Sequence, residues 1–171
     1  EVLTQLPKFV KDYYPGIASL SVGWYGGEPL LGMKMIERIT SDLKDVVGPT
    51  CDYSASIVTN GYLLTPDVAR RLAACGVTSA QVTIDGSKSD HDSRRVLHDG
   101  SPTYERILKN VKECADIVDI SIRSNVDKTN IEAAQELLDY LELNGLMNKV
   151  HFYLAPVDDI NQVCCLLYTS D

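Results

Sequence analysis

The sequence predicts an α/β fold in which a curled parallel sheet carries helices on one face. Strand-like and helix-like segments alternate along the chain, which is typical of parallel sheets built from βα units. The strand-like segments themselves alternate between apolar and polar residues, whereas strands covered by helices on both faces are almost continuously apolar. We therefore expect one face of the sheet to pack against helices and the other to be polar.

Five segments have apolar residues at helical spacing, which predicts five amphipathic helices. These apolar residues lie within 6–13, 36–46, 68–72, 104–111 and 131–141. Start and stop signals agree with this interpretation. Thr65-Pro66-Asp67 supplies a cap and a proline for the first turn, and Thr129-Asn130-Ile131-Glu132 fits a capping box. Gly48, Gly76 and Gly145 stand where helices should end.

The strand-like runs cover residues 18–25, 53–59, 79–84, 118–125 and 149–154. Their polar positions cluster towards the C-terminal strand ends, where α/β barrels keep their sites. A concave polar face suits a hydrated ligand better than a packed barrel interior does. One polar residue from each strand is expected to point into this concavity, namely Ser21, Ser56, Thr83, Ser121 and Tyr153.

Composition excludes several classes of protein. The net charge of -8 over 171 residues argues against broad binding to nucleic acid or to anionic membranes. No apolar run approaches the roughly 18 residues of a membrane span. The five cysteines form no Cys-x2-Cys pair, so neither a disulfide scaffold nor a zinc ribbon is predicted. A single cytoplasmic domain is the simplest interpretation.

The turn "YGGEP", residues 25–29, is the first candidate ligand contact. Gly26 and Gly27 lack Cβ atoms, so their backbone can approach a ligand closely. Pro29 disfavours a helical conformation at Glu28, which should stay extended. An ordinary βα turn with a solvated glutamate would explain the same residues.

Arginines near the strand ends are the second candidate contact. Arg95 follows "TIDG" in the segment 87–100, which we expect to be a loop, and a guanidinium fork matches a carboxylate bidentately. Its neighbour Arg94 is expected on the solvent side. Arg123 lies within a strand and needs a polar partner. The histidines show no metal-ligand spacing, so no metal site and no catalytic triad are predicted.

The order of the motifs resembles the radical S-adenosylmethionine (radical SAM) enzymes. A GGEP turn follows one strand, TNG the next and T-x-D-G the third; HD-x-x-R and R-x-N-V-D come after them. The likeness is strongest to the peptide- and protein-modifying branch that includes the anaerobic sulfatase-maturating (SPASM-type) enzymes. It implies a partial (β/α)6 TIM-like barrel with about five parallel strands and a core domain over residues 1–163. Residues 164–171 are expected to be a non-native or disordered tail.

The resemblance also implies which residues bind the cofactor S-adenosylmethionine. The matching positions are Tyr25, Gly26, Gly27, Glu28, Asn60, Thr83, Asp85, Arg95, Arg123 and Val157. In the family, the glycine motif holds the amino group of the cofactor through its backbone. Thr83 and Arg95 match contacts to its carboxylate and ribose, and Val157 matches an adenine contact. No residue of the chain is predicted to be catalytic.

The chain departs from the family pattern in one respect. None of its five cysteines supplies the C-x3-C-x2-C loop that binds a [4Fe-4S] cluster, so we expect the cluster ligands outside this chain, upstream of Glu1. The resemblance implies reductive cleavage of SAM, hydrogen abstraction from a peptide or protein, and an electron donor such as a flavodoxin or ferredoxin. Two alternatives stay open: a non-catalytic relative that binds SAM or peptide, and an unrelated (β/α)-barrel lyase.

Overall fold

The computed structural model describes residues 2–127 and 130–157, and the side chains of residues 5–127 and 130–157. The helices are α1 (Val2–Tyr13), α2 (Met33–Val47), α3 (Pro66–Ala74), α4 (Lys88–Arg94), α5 (Tyr104–Cys114) and α6 (Ile131–Leu143). The strands are β1 (Ser19–Trp24), β2 (Asp52–Thr59), β3 (Val77–Thr83), β4 (Asp119–Val126) and β5 (Val150–Pro156). A 3-10 turn, Pro29–Gly32, leads into α2. The end of the predicted 1–163 domain and the predicted tail 164–171 lie outside the described residues.

All five strands are parallel and form one sheet in the order β1-β2-β3-β4-β5. The predicted α/β class, with about five parallel strands, is confirmed. The register shifts once, between Ala55 and Ser56 of β2. All C-terminal strand ends therefore lie along one edge of the sheet, and the connections that follow them can form a common site.

The two faces of the sheet differ as the alternation predicts. Ala80, Val82, Ile120 and Ile122 are fully buried on the face covered by helices. On the opposite face, Ser21, Ser56, Thr83, Ser121 and Tyr153 all keep exposed surface, and the strand register places them on one side. The Tyr153 hydroxyl on β5 donates to Gln81 Oε1 on β3 at 2.7 Å, across the intervening β4. This contact fits a sheet that curls towards its polar face.

One local prediction was wrong. The segment after β3 begins with the short helix α4 rather than a loop, because the Ser87 side chain accepts a hydrogen bond from the Asp90 N–H and caps the helix. The predicted capping box at the start of α6 depends on Thr129, which lies outside the described residues. The Asn130 side chain forms no cap; it accepts from the Asp127 N–H and donates to the Asn125 carbonyl. Among the described residues, no helix has the length and apolar character needed to cross a membrane.

Candidate functional site

The turn after β1 presents bare backbone. Gly26 and Gly27 both have positive φ, at 97° and 49°, which L side chains rarely adopt. A Cβ built on either glycine would meet no described atom within 4 Å, so the turn borders open space. Tyr25, just before it, is 81% exposed. The geometry leaves peptide groups accessible at the rim of the polar face.

The Glu28 carboxylate holds this turn against the end of β2. Its Oε1 accepts from the Leu30 N–H at 3.0 Å and from the Thr59 hydroxyl at 2.7 Å, and its Oε2 accepts from the Asn60 N–H at 2.8 Å. The backbone of Glu28 is extended, as Pro29 predicts, with φ -121° and ψ 102°. The sequence motif predicted a backbone role, and the structure adds a side chain that joins two strand ends.

The turn after β2 is fixed by its own side chains. Asn60 Oδ1 accepts from the Tyr62 N–H at 2.9 Å, which forms an Asx turn. Gly61 has a φ of 80°, and a Cβ there would lie 2.7 Å from Val82 Cγ1. Glycine at this position therefore allows the turn to pack on the core.

Asp85 is the most buried carboxylate of the predicted site, with 3% exposure. Its Oδ2 accepts from Arg95 Nε at 2.6 Å. Its Oδ1 accepts from the backbone N–H and the side-chain amide of Asn125, at 3.2 and 3.0 Å. A buried carboxylate is stable when it is paired and hydrogen-bonded in this way, and Asp85 therefore ties the ends of β3 and β4 to the segment after α4.

Arg123 joins the same network. Its Nε donates to Asn125 Oδ1 at 3.0 Å, so Asn125 links Arg123 to Asp85. In the sheet register Arg123 lies opposite Thr83 on one side and Tyr153 on the other. The polar partner that we expected for Arg123 is thus the side-chain amide of Asn125, two residues later on the same strand.

A buried histidine, the first residue of the HD-x-x-R motif but not one of the predicted cofactor contacts, completes this network. His91, on α4, is 0% exposed. Its Nδ1 accepts from the Asp85 N–H at 3.2 Å, and its Nε2 lies 3.0 Å from Thr103 Oγ1. The Thr103 hydroxyl lies 2.6 Å from the Arg95 carbonyl oxygen, to which it donates. No spacing signal could have revealed this, because the partners come from three separate segments.

Burial, and to a smaller extent the neighbouring Arg95 charge, lowers the pKa of His91 from its ordinary value of 6.5 to about 4. The hydrogen bonds agree with a neutral ring at neutral pH. The Asp85 N–H can act solely as a donor, so Nδ1 carries no proton and Nε2 carries it.

Arg94 does not lie on the solvent side, contrary to expectation. Its side chain is 27% exposed, close to the 25% of Arg95, and its Nη2 lies 3.4 Å from Asp127 Oδ2. The sequence could not show this, because the partner follows β4 and is distant along the chain. Arg94 is therefore unsuitable as a solvent-exposed control for Arg95.

The predicted site residues lie at the C-terminal edge of the sheet, and five of them belong to two hydrogen-bonded groups. One group joins Glu28 to Asn60, and the other joins Asp85, Arg95 and Arg123 through Asn125. Val157 follows β5, where its N–H donates to the Val126 carbonyl at 2.8 Å. Among the residues that the structure describes, no hydrogen bond joins one group to the other.

The described residues hold no cluster of three or more His, Cys, Asp or Glu side chains that could bind a metal ion. Cys75 and Cys114 are buried in the core. Burial raises the pKa of the Cys114 thiol to about 11, and its Sγ lies 3.2 Å from the Leu64 carbonyl oxygen. These two cysteines are packing residues, and the part of the chain that the structure describes holds no set of ligands that fits an iron-sulfur cluster.

Comparison with known proteins gives the family. A sequence model described as the Radical SAM superfamily matches residues 5–143. The chain belongs to the radical SAM superfamily. The resemblance predicted from the motif order is therefore confirmed at the level of the superfamily.

Individual relatives agree with this assignment. An AdoMet-dependent heme synthase from Methanosarcina barkeri is 30% identical over 160 residues, which cover 91% of this chain and 43% of the relative. The structure of native anSMEcpe with bound AdoMet superposes with a TM-score of 0.77 at 20% identity, covering 98% of this chain and 46% of that one. The structure of Streptococcus suis SuiB bound to precursor peptide SuiA superposes with a TM-score of 0.60 at 16% identity, covering 99% of this chain and 36% of that one. The chain thus spans less than half the length of each of these relatives.

Proposed function

We propose that this chain forms the S-adenosylmethionine-binding part of a radical SAM enzyme that acts on a peptide or protein. The observation that carries the proposal is the state of Arg95. Its Nε donates to the carboxylate of the buried Asp85, while its two terminal nitrogens form no hydrogen bond with another described residue. A guanidinium held in this way is prepared to donate to a carboxylate or to ribose hydroxyls.

The other predicted contacts fit the same ligand. The positive-φ backbone of Gly26 and Gly27 borders open space and can accept from an ammonium group. Thr83 and Arg123 lie opposite each other on the polar face and can contact the cofactor between the two hydrogen-bonded groups. When bound, SAM supplies the deoxyadenosyl group from which the superfamily generates its hydrogen-abstracting radical. The roles of this chain are to bind and to orient that cofactor.

The iron-sulfur cluster expected for the family has no ligands among the described residues. We place its ligands outside this chain, together with the docking site for an electron donor such as a flavodoxin or ferredoxin. No step of the chemistry is assigned to a cysteine of this chain.

Two substrate classes have support from relatives. A peptide substrate is supported by SuiB, which was solved with its precursor peptide. A tetrapyrrole is the second candidate, since the 30% identical relative is a heme synthase. We favour the peptide, because the motif order resembles the peptide-modifying branch.

Calorimetric titration of the chain with SAM tests the proposal. Arg95→Ala should weaken SAM binding about ten- to a hundredfold, since a charged hydrogen bond contributes roughly 1.5–3 kcal/mol. Arg38→Ala is the matched control, because it removes one positive charge from a side chain that is 64% exposed on α2. Equal losses in both variants would show a diffuse charge effect, and the absence of binding by the unmodified chain would contradict the proposal.

A further inference from the structure

We propose that His91 and Thr103 are positioning residues that hold the Arg95 guanidinium and the Asp85 carboxylate in place for the cofactor. The inference rests on the proposed function. Neither residue belongs to the set that the motif order predicts for cofactor contact. Both are buried, at 0% and 6% exposure, and both act through other residues of the site.

The four residues form a closed ring of hydrogen bonds. The Asp85 N–H donates to His91 Nδ1, and His91 Nε2–H donates to the Thr103 hydroxyl. That hydroxyl donates to the Arg95 carbonyl, and Arg95 Nε donates back to the Asp85 carboxylate. We call this arrangement the His91 ring. Each member contacts two others: the Asp85 carboxylate holds the Arg95 guanidinium, and the Thr103 hydroxyl holds the Arg95 backbone.

The direction of every bond in the His91 ring is determined. The backbone N–H and the arginine Nε–H can act solely as donors, and the carbonyl oxygen as an acceptor. This leaves one arrangement for the imidazole, with its proton on Nε2, and one for the hydroxyl, whose proton points to Arg95. A doubly protonated His91 could not accept from Asp85 and would break the ring.

Thr103 is itself held from the opposite side. Asp92, the residue after His91, accepts with Oδ1 from the N–H groups of Thr103 and Tyr104, both at 2.9 Å. The aromatic side chains of Tyr104 and His91 pack edge to face, with 5.7 Å between the centroids of the phenol and the imidazole. The start of α5 is therefore locked to α4, and the Thr103 hydroxyl has a fixed position from which to orient Arg95.

A structural role in the core would explain the burial of His91, but it would not explain why the hydrogen bonds of the His91 ring include Arg95. In the fourth bond, the donor is Arg95 Nε, and this arginine has two terminal nitrogens that form no hydrogen bond with another described residue. Loss of the Thr103 hydroxyl would leave His91 Nε2–H and the Arg95 carbonyl without partners in a buried region, and the side chain of Arg95 would gain freedom.

The test compares Thr103→Val with Thr103→Ser and with Thr40→Val. The valine is close in shape to threonine and lacks the hydroxyl, while serine keeps it. Thr40 is 3% exposed on α2, and its hydroxyl lies 3.4 Å from the Tyr53 hydroxyl, so Thr40→Val is a matched change away from the site. Two quantities are measured on each chain: the dissociation constant for SAM, and the hydrogen-exchange rate of Arg95 Nε–H by NMR.

Thr103→Val should raise the dissociation constant about three- to tenfold and accelerate Arg95 Nε–H exchange about tenfold. Thr103→Ser and Thr40→Val should each stay within about twofold of the unmodified chain in both quantities. Unchanged exchange and affinity in folded Thr103→Val would overturn the inference, and so would equal effects of Thr40→Val.

A measurement on the unmodified chain keeps the test decisive if Thr103→Val does not fold. The ¹⁵N shifts of His91 at neutral pH should show a protonated Nε2 and an unprotonated Nδ1, and the opposite tautomer would overturn the ring. If the unmodified chain does not bind SAM, the proposed function fails. The exchange comparison then still decides whether Thr103 positions Arg95.

Discussion

His91 is the residue whose ionisation the fold controls most strongly among the described histidines. Its pKa in the folded chain is about 4, below the ordinary value of 6.5, chiefly because it is buried. Between these values the unfolded chain binds a proton that the folded chain does not, so lowering the pH favours unfolding. Above about 6.5 the ring is neutral in both states and His91 adds no pH dependence.

We therefore expect His91 to lower the free energy of unfolding by roughly 3 kcal/mol as the pH falls from 6.5 to 4. Urea unfolding at several pH values measures it. His91→Gln should be less stable at neutral pH yet show a flatter decline over that interval. His98→Gln, at an exposed position, should keep the slope of the unmodified chain. An unchanged slope in His91→Gln would contradict the assignment of a neutral buried ring.

At the scale of elements, the β3–α4 connection is fixed by Gly86. It has a φ of 79°, and a Cβ there would lie 2.8 Å from Ala133 Cβ and 3.0 Å from the Ala133 carbonyl carbon on α6. The end of β3 can approach α6 this closely because no side chain stands between them. The position of Asp85, one residue earlier, depends on the same approach.

Gly86→Ala should lower the free energy of unfolding by roughly 2–5 kcal/mol, since it combines an unfavourable φ with overpacking. Gly100→Ala is the matched control, because Gly100 has a φ of 81° but a Cβ there would meet nothing within 4 Å. Its cost should be roughly 1–2 kcal/mol. Chemical denaturation of both variants separates backbone strain from packing, and equal costs would show that the contact with α6 is unimportant.

The elements that the sequence predicted well are those with strong periodicity. The strand alternation placed Thr83 and Ser121 on the polar face, and the register confirms it. The helix α4 was missed because its seven residues are polar and have no apolar repeat. The contacts of Arg94 and His91 are with residues that are distant along the chain, Asp127 and Thr103, and local pattern carries no information about such pairs.

At the scale of the whole molecule, the sheet brings the C-terminal ends of five strands to one edge and leaves one of its faces polar. In our proposal the cofactor binds at that edge, and membership of the radical SAM superfamily supports the proposal. The two hydrogen-bonded groups there belong to neighbouring pairs of strands: Glu28 and Asn60 follow β1 and β2, while Asp85 follows β3 and Arg123 lies on β4. A ligand that bridges them would contact most of the sheet.

The most direct test of this account is an NMR titration of the ¹⁵N-labelled chain with SAM. The account predicts shifts of the Gly26, Gly27 and Asp85 amides and of the Arg95 Nε–H, with little change at Thr78 and Asp119, which lie at the opposite ends of their strands. Specific shifts centred on Thr78 and Asp119, or no shifts at millimolar SAM, would contradict it.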